Sequence, residues 1–131
     1  MTLIRCPFPP TELRPNFRDK NHWGKWRPKA KAYGRDVWYL CMEQNIHKVE
    51  WPQSDIHLTY TFYAPKGCRW DQDAMESAFK WGQDAIAKTM RVDDKHFRAK
   101  KEHARSSGEG CVLVQIHTES LQYVPIVGSI S

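Results

Sequence analysis

No stretch of about 18 consecutive apolar residues occurs in this sequence, which excludes a transmembrane helix. Its first ten residues, Met1 to Pro10, lack the apolar core of a secretion signal, because Arg5 interrupts the only candidate. The four cysteines (Cys6, Cys41, Cys68 and Cys111) lie tens of residues apart without a CxxC pair, which argues against a disulfide framework or a zinc ribbon. Reduced thiols and a cytoplasmic location are the expectation. The six histidines show neither HExxH nor HxxxH spacing and read as surface or core residues. Internal repeats and low-complexity tracts are absent. What remains is 131 residues, 40% hydrophobic and 27% charged, which fits a single domain spanning 1–131 with one buried core.

The formal net charge is +5, and its distribution is uneven. Residues 14–31 carry Arg14, Arg18, Lys20, Lys25, Arg27, Lys29 and Lys31 against Asp19 alone. Residues 95–105 carry Lys95, Arg98, Lys100, Lys101 and Arg105 against Glu102. Two basic blocks in an acidic background suit a protein that tracks phosphates and keeps a negative site elsewhere. They equally describe two solvated polar surfaces.

Along the chain, residues 2–8 read as a strand ended by Pro7, Pro9 and Pro10. The stretch from Thr11 to Lys29 is polar, basic and broken by Pro15 and Pro28, and reads as a long loop, with 14–30 its basic part. Tyr33, Val37, Leu40 and Cys41 repeat at helical spacing, predicting a helix over about 29–47 that Pro28 opens. In Asp55–Tyr63, Ile56, Leu58, Tyr60 and Phe62 alternate with His57, Thr59 and Thr61, a strand pattern. Met75, Ala78, Phe79, Gly82, Ile86 and Met90 form one stripe of a helix over about 73–90. Two strands follow near 94–104 and 110–118, joined by a hairpin-type connection at Ser106–Gly110. Residues 119–131 read as a loosely attached tail. The expected fold is α+β, with two main helices on a small mixed four-stranded sheet in the order β-α-β-α-β-β.

The most informative chemistry lies in Arg69-Trp-Asp-Gln-Asp73, Lys80 and Val92-Asp-Asp94. Residues two apart in extended chain point the same way, so Asp71 and Asp73 can face one site at the strand-to-helix junction. Asp93 or Asp94 opens the next strand and adjoins that junction if the helix returns antiparallel. Carboxylates gathered at one point repel unless a hard cation lies between them. Mg²⁺ takes such oxygen ligands at about 2.1 Å and keeps several waters. On a single helix, Lys80 and Asp84 each lie ~20° from Asp73, so the lysine ammonium can lean back toward a phosphate bound there. The same residues also fit capping (Asp73 with Glu76), an ordinary Lys80–Asp84 surface pair and a solvated Asp93-Asp94 turn.

The ordered set Asp71-x-Asp73, Lys80, Asp84-Ala-Ile and Asp93-Asp94 resembles the RusA-type endodeoxyribonucleases, which resolve Holliday junctions and are common in bacteria and prophages. Pro9-Pro-Thr-Glu-Leu-Arg-Pro-Asn16, Arg18, His22-Trp23, Lys25 and Lys31-Ala-Tyr33 are similar to that family's N-terminal half. The resemblance covers roughly residues 5–118. Two departures stand out: Ala74 occupies the position of the family's Asn, and Lys80 lies seven residues past Asp73, as in other members of the wider family, where some members have the lysine four past. The resemblance implies a Mg²⁺-dependent homodimer acting on branched DNA, with Asp71, Asp73 and Asp94 as metal-binding catalytic acids and Lys80 as catalytic lysine. A four-way junction needs two symmetric cuts, which a two-fold dimer supplies. Asn16, Arg18, His22, Lys25, Arg27, Lys29, Arg69 and Lys80 are the expected DNA contacts. Trp23, Trp26 and Trp70 are candidates for stacking on unpaired bases, whereas Trp38 reads as core. Three alternatives stay open: a branched-DNA-binding protein without catalysis, a nuclease for flaps, forks or RNA, and a structural partner whose basic segment docks an acidic protein.

Overall fold

A computed structural model describes residues 2–117 and 124–125. The chain runs β1 (Thr2–Pro7), α1 (Pro15–Lys20), α2 (Trp23–Glu43), β2 (Val49–Glu50), β3 (Ile56–Ala64), α3 (Gln72–Ala78), α4 (Lys80–Met90), β4 (Phe97–Arg105), β5 (Cys111–Ile116) and β6 (Val124–Pro125). Four strands form a mixed sheet in the order β1-β5-β3-β4, in which only the β3–β4 pair is parallel. This is the expected α+β architecture. Parallel neighbours need a crossover connection, and α3 with α4 provides it.

The alternating segment is realised as β3 at the centre. Ile56, Leu58, Tyr60, Phe62 and Ala64 are buried along it, joined by Val112, Val114 and Ile116 of β5 and Ile4 and Cys6 of β1. Each fully buried side chain of this size contributes about 1.5–3 kcal/mol, so this layer, with the helices laid over it, is the main source of stability. Strand β4 lies at the sheet edge, where Arg98, Lys100 and Glu102 are exposed and discourage further strand pairing. All four cysteines are free thiols, Cys6 and Cys41 buried in the core. Burial pushes the Cys41 thiol up to about 12, so it stays protonated at neutral pH. No helix among the described residues is long and apolar enough to cross a membrane.

Three expectations are corrected. First, the basic stretch 11–29 is mostly helical rather than a loop. Pro15 starts α1 at its first position, and the His22 ring caps α2 by accepting the Gly24 N–H at 3.1 Å, so that α2 begins at Trp23, six residues ahead of the expected start. Pro28 lies inside α2, where its ring faces the carbonyl of Gly24 near the helix start.

Second, the helix expected over 73–90 is interrupted at Phe79. The Phe79 N–H is shared between the carbonyls of Met75 and Glu76, both at 3.2 Å. Its ring is buried against Tyr60 and Phe62, with centroid distances of 5.1 and 5.9 Å. A Cβ at Gly82 would stand 2.6 Å from that ring, so the glycine makes the room.

Third, β4 and β5 are not a hairpin. They flank β3 on opposite sides, and the Ser106–Gly110 connection passes around the end of β3. Gly110 permits this at φ +79°, where a Cβ would lie 2.5 Å from the Tyr63 carbonyl oxygen. Of the expected tail, Val124–Pro125 pairs with β2, and the rest lies outside the described residues.

Candidate active site

Asp84 projects from the exposed side of α4, and Asp94 opens the short 3-10 turn Asp94–His96 that leads into β4. The chain reversal after Met90 brings the two carboxyl groups near enough for each to feel the other's charge. Two carboxylates this close repel, and a bound cation would relieve the repulsion. Partial burial, and then the charge of Asp94, push the Asp84 carboxyl above its ordinary range, while Lys80 and Lys88 pull it back. Asp93 also touches Asp94, but its own oxygen accepts the Lys95 N–H at 3.0 Å, and that bond chiefly holds it below the ordinary range. A groove of about 590 Å³ beside the pair is lined by Gln83, Asp94, Arg98, Lys100 and Lys101. The buried Tyr60 hydroxyl donates to Gln83 Oε1 at 2.7 Å and fixes the wall of this groove.

The two acids of the expected DxD pair stand elsewhere. Asp71 is the N-cap of α3, where Oδ1 accepts the Ala74 N–H at 2.7 Å, and Asp73 is exposed in the first turn. Capping therefore belongs to Asp71 and not to an Asp73–Glu76 box. The parallel register sets Ile56 beside Phe97 and Ala64 beside Arg105. Asp71 thus follows the end of β3, whereas Asp94 precedes a strand that starts level with the beginning of β3. The eleven residues from Asp73 to Asp84 span roughly 16 Å of helix. Among the described residues, no three His, Cys, Asp or Glu side chains converge closely enough to hold a metal ion. Asp84 with Asp94 is the acid pair that forms.

Lys80 begins α4, with its Nζ 5.8 Å from the centre of the Trp81 ring. The charge of Lys80 acts on Asp84, one turn further along α4, and draws that carboxyl down. Sequence reasoning missed Glu76, Lys101 and His103. Glu76 Oε2 lies 2.7 Å from His103 Nε2 and Oε1 lies 3.8 Å from Lys101 Nζ. The His103 ring stacks on Phe62 at 5.0 Å, and its Nδ1 is buried without a hydrogen-bond partner among the described residues. The β3–β4 register, which sets His103 beside Phe62, makes this contact, and no sequence motif marks it.

The expected DNA contacts divide into two groups. Asn16, Lys25, Arg27, Lys29 and Arg69 are exposed. At about 100° per residue, Arg27 shares a face of α2 with Lys31, while Lys25 and Lys29 lie on the opposite flank of the buried Ala30–Tyr33–Val37 stripe. The others have structural work. Arg18 donates from Nε to the Leu13 carbonyl at 3.1 Å and from Nη2 to Ser77 Oγ at 2.8 Å. Its guanidinium also lies 5.1 Å from the Trp81 ring centre and 5.9 Å from that of Trp26. His22 is spent on its cap, and Trp70 packs on Phe8 at 5.4 Å beneath Arg14. Trp38, expected in the core, is only half-buried, whereas Trp23 is 55% exposed.

No known protein-family model matches the chain. It is similar to an uncharacterised protein of Xylella fastidiosa (strain Temecula1 / ATCC 700964), with 30% identity over 103 residues, or 74% of this chain. The chain spans 63% of the length of that curated relative.

Proposed function

We propose that this protein is a Mg²⁺-dependent endodeoxyribonuclease that cuts branched DNA, with a four-way junction as substrate and a two-fold dimer as the working form. The observation that carries the reading is the neighbouring Asp84 and Asp94 carboxyl groups beside Lys80, with Lys31 and Arg35 of α2 lining the groove at Asp84 and Arg98, Lys100 and Lys101 of β4 lining the groove at Asp94. The donor set fits the ion. Mg²⁺ is usually held by one or two carboxylates together with substrate phosphate oxygens and water, and two neighbouring carboxyl groups that repel each other are such a pair. Asp84 and Asp94 would hold the metal, which when bound supplies a lowered water pKa and charge stabilisation on the phosphodiester. Lys80 adds fixed positive charge for the phosphate in flight. Arg27, Lys25 and Lys29 hold the flanking backbone, and Arg18 acts one step removed by fixing Trp81 and α3.

The test is incubation of the purified chain with a mobile four-way junction and Mg²⁺. Paired strand cleavage that Asp94→Asn reduces at least a hundredfold supports the reading; cleavage unaffected by Asp94→Asn defeats it. A second reading, a branched-DNA-binding protein without hydrolysis, is favoured by Asp71 being committed to its cap and by the absence of a three-acid group among the described residues. Tight junction binding with no cleavage in Mg²⁺ or Mn²⁺ selects it.

A further inference from the structure

Helices α2 and α4 pack closely, yet they leave a groove between them of about 510 Å³, lined by Lys31, Arg35 and Trp38 on one side and Trp81, Asp84 and Lys88 on the other. That volume falls within the range of small-molecule sites. The lining residues are spaced three and four apart on each helix, so both present a continuous stripe to the gap. Gly34 forms part of the floor. A Cβ there would rest 3.5 Å from the Trp81 carbonyl oxygen, an ordinary contact, so the glycine relieves no clash and marks the close approach of α2 to α4.

The chemistry of the groove is lopsided. Lys31, Arg35 and Lys88 are exposed, and among the described residues none of them has a carboxylate within ion-pair distance. Asp84 is the only acid in the lining, and it is also half of the Asp84–Asp94 pair. Two indoles supply apolar wall. Trp81 is clamped in place by Arg18 at 5.1 Å and Trp26 at 5.8 Å, and Trp38 is braced edge-on by Tyr39 at 5.1 Å. A wall fixed in advance loses little freedom when a ligand arrives.

Exposed cations that make no ion pair within 4 Å among the described residues, with Lys88 feeling Asp84 only at longer range, stand beside half-buried indoles and call for a ligand that is both flat and anionic. We propose that this groove binds one unpaired nucleotide of a nucleic acid strand, its base against Trp38 and its flanking phosphates on Lys31, Arg35 and Lys88. A base inside a duplex has both faces stacked and cannot enter, whereas an unpaired base at a branch point can. Because Asp84 lines the groove between Trp81 and Lys88, a phosphodiester of the occupant lies beside the acid pair. The inference deepens the nuclease reading and rests on it for the biological ligand, but the binding step is independent of hydrolysis.

The test is tryptophan fluorescence of the full chain in EDTA, titrated with a short oligothymidylate, with the same strand in a fully paired duplex, and with oligoglutamate. The single strand quenches the signal and binds tightest. Trp38→Ala weakens that binding about tenfold, the scale of one base–aromatic stack, and Trp38→Phe restores most of it. Joint replacement of Arg35 and Lys88 by Ala weakens binding and flattens its salt dependence, with thermal melting confirming that each variant is folded. Unchanged single-strand affinity in Trp38→Ala overturns the proposal, as does equal or tighter binding of the duplex or of oligoglutamate. Quenching with all these dependences, in a protein that never cleaves a junction, sinks the nuclease reading and leaves the subsite standing. Junction cleavage with a Trp38-independent affinity does the reverse.

Discussion

Arg18 and Asp84 illustrate how charged residues in one chain take opposite roles. Arg18 stands in a basic segment and has the composition of a phosphate contact, but its fork is occupied by Leu13 and Ser77 and its plane by two indoles. Hydrogen bonds from a charged donor are worth about 1.5–3 kcal/mol, so Arg18→Ala lowers unfolding stability in urea by about 2 kcal/mol. Arg18→Lys recovers less than half of that loss, because an ammonium cannot reproduce the planar fork. Asp84 is the reverse case, a residue whose ionised form is unfavourable in the fold. Its carboxyl is raised above the ordinary 3.8, so the folded state holds a proton that the unfolded chain has released. Stability then falls as pH rises from 3.8 through the higher folded value. Asp84→Asn removes this penalty. Like-charge surface pairs cost a few tenths of a kcal/mol, so the melting midpoint of Asp84→Asn at pH 7 rises by about 2 °C, and the gain disappears below pH 4. Scanning calorimetry at the two pH values checks both halves.

The interrupted crossover helix is decided by one aromatic ring. Met75, Ala78, Phe79, Gly82 and Ile86 form a legible stripe in the sequence, and they do line the buried side. Periodicity alone cannot show that the Phe79 N–H is shared between two carbonyls where its ring seats among Tyr33, Tyr60 and Phe62. Gly82→Ala tests the arrangement. The added carbon meets a ring with no free space to retreat into, and overpacking of this kind costs about 1–3 kcal/mol. A chemical denaturation midpoint unchanged by Gly82→Ala would show that α4 shifts freely against the sheet. The basic stretch before Ala30 was misread at the same scale. Pro15 and Pro28 look like breakers in sequence, yet one starts α1 and the other is the sixth residue of α2, which continues through it despite the missing N–H.

For the molecule as a whole, cations line two flanks of α2 and the outer face of β4. If DNA lies along the Lys25–Lys29 flank of α2, joint replacement of Lys25 and Lys29 by Ala lowers the slope of log affinity against log salt by up to about 1.8, at 0.9 for each phosphate contact. Filter binding across a salt series measures it; an unchanged slope moves the DNA path elsewhere. The sequence by itself determined the fold class, the central strand and the buried stripe of each long helix, because hydrophobic periodicity is a local property that burial simply enforces. It also marked Lys80, Asp84 and Asp94 as residues of interest. The partnership among them was decided by tertiary structure. The register of a parallel strand pair and the direction of a chain reversal set which carboxylates meet, and neither is encoded in the spacing between them. The same long-range pairing brought His103 to Glu76 and opened a cationic groove between two helices whose residues lie some fifty positions apart.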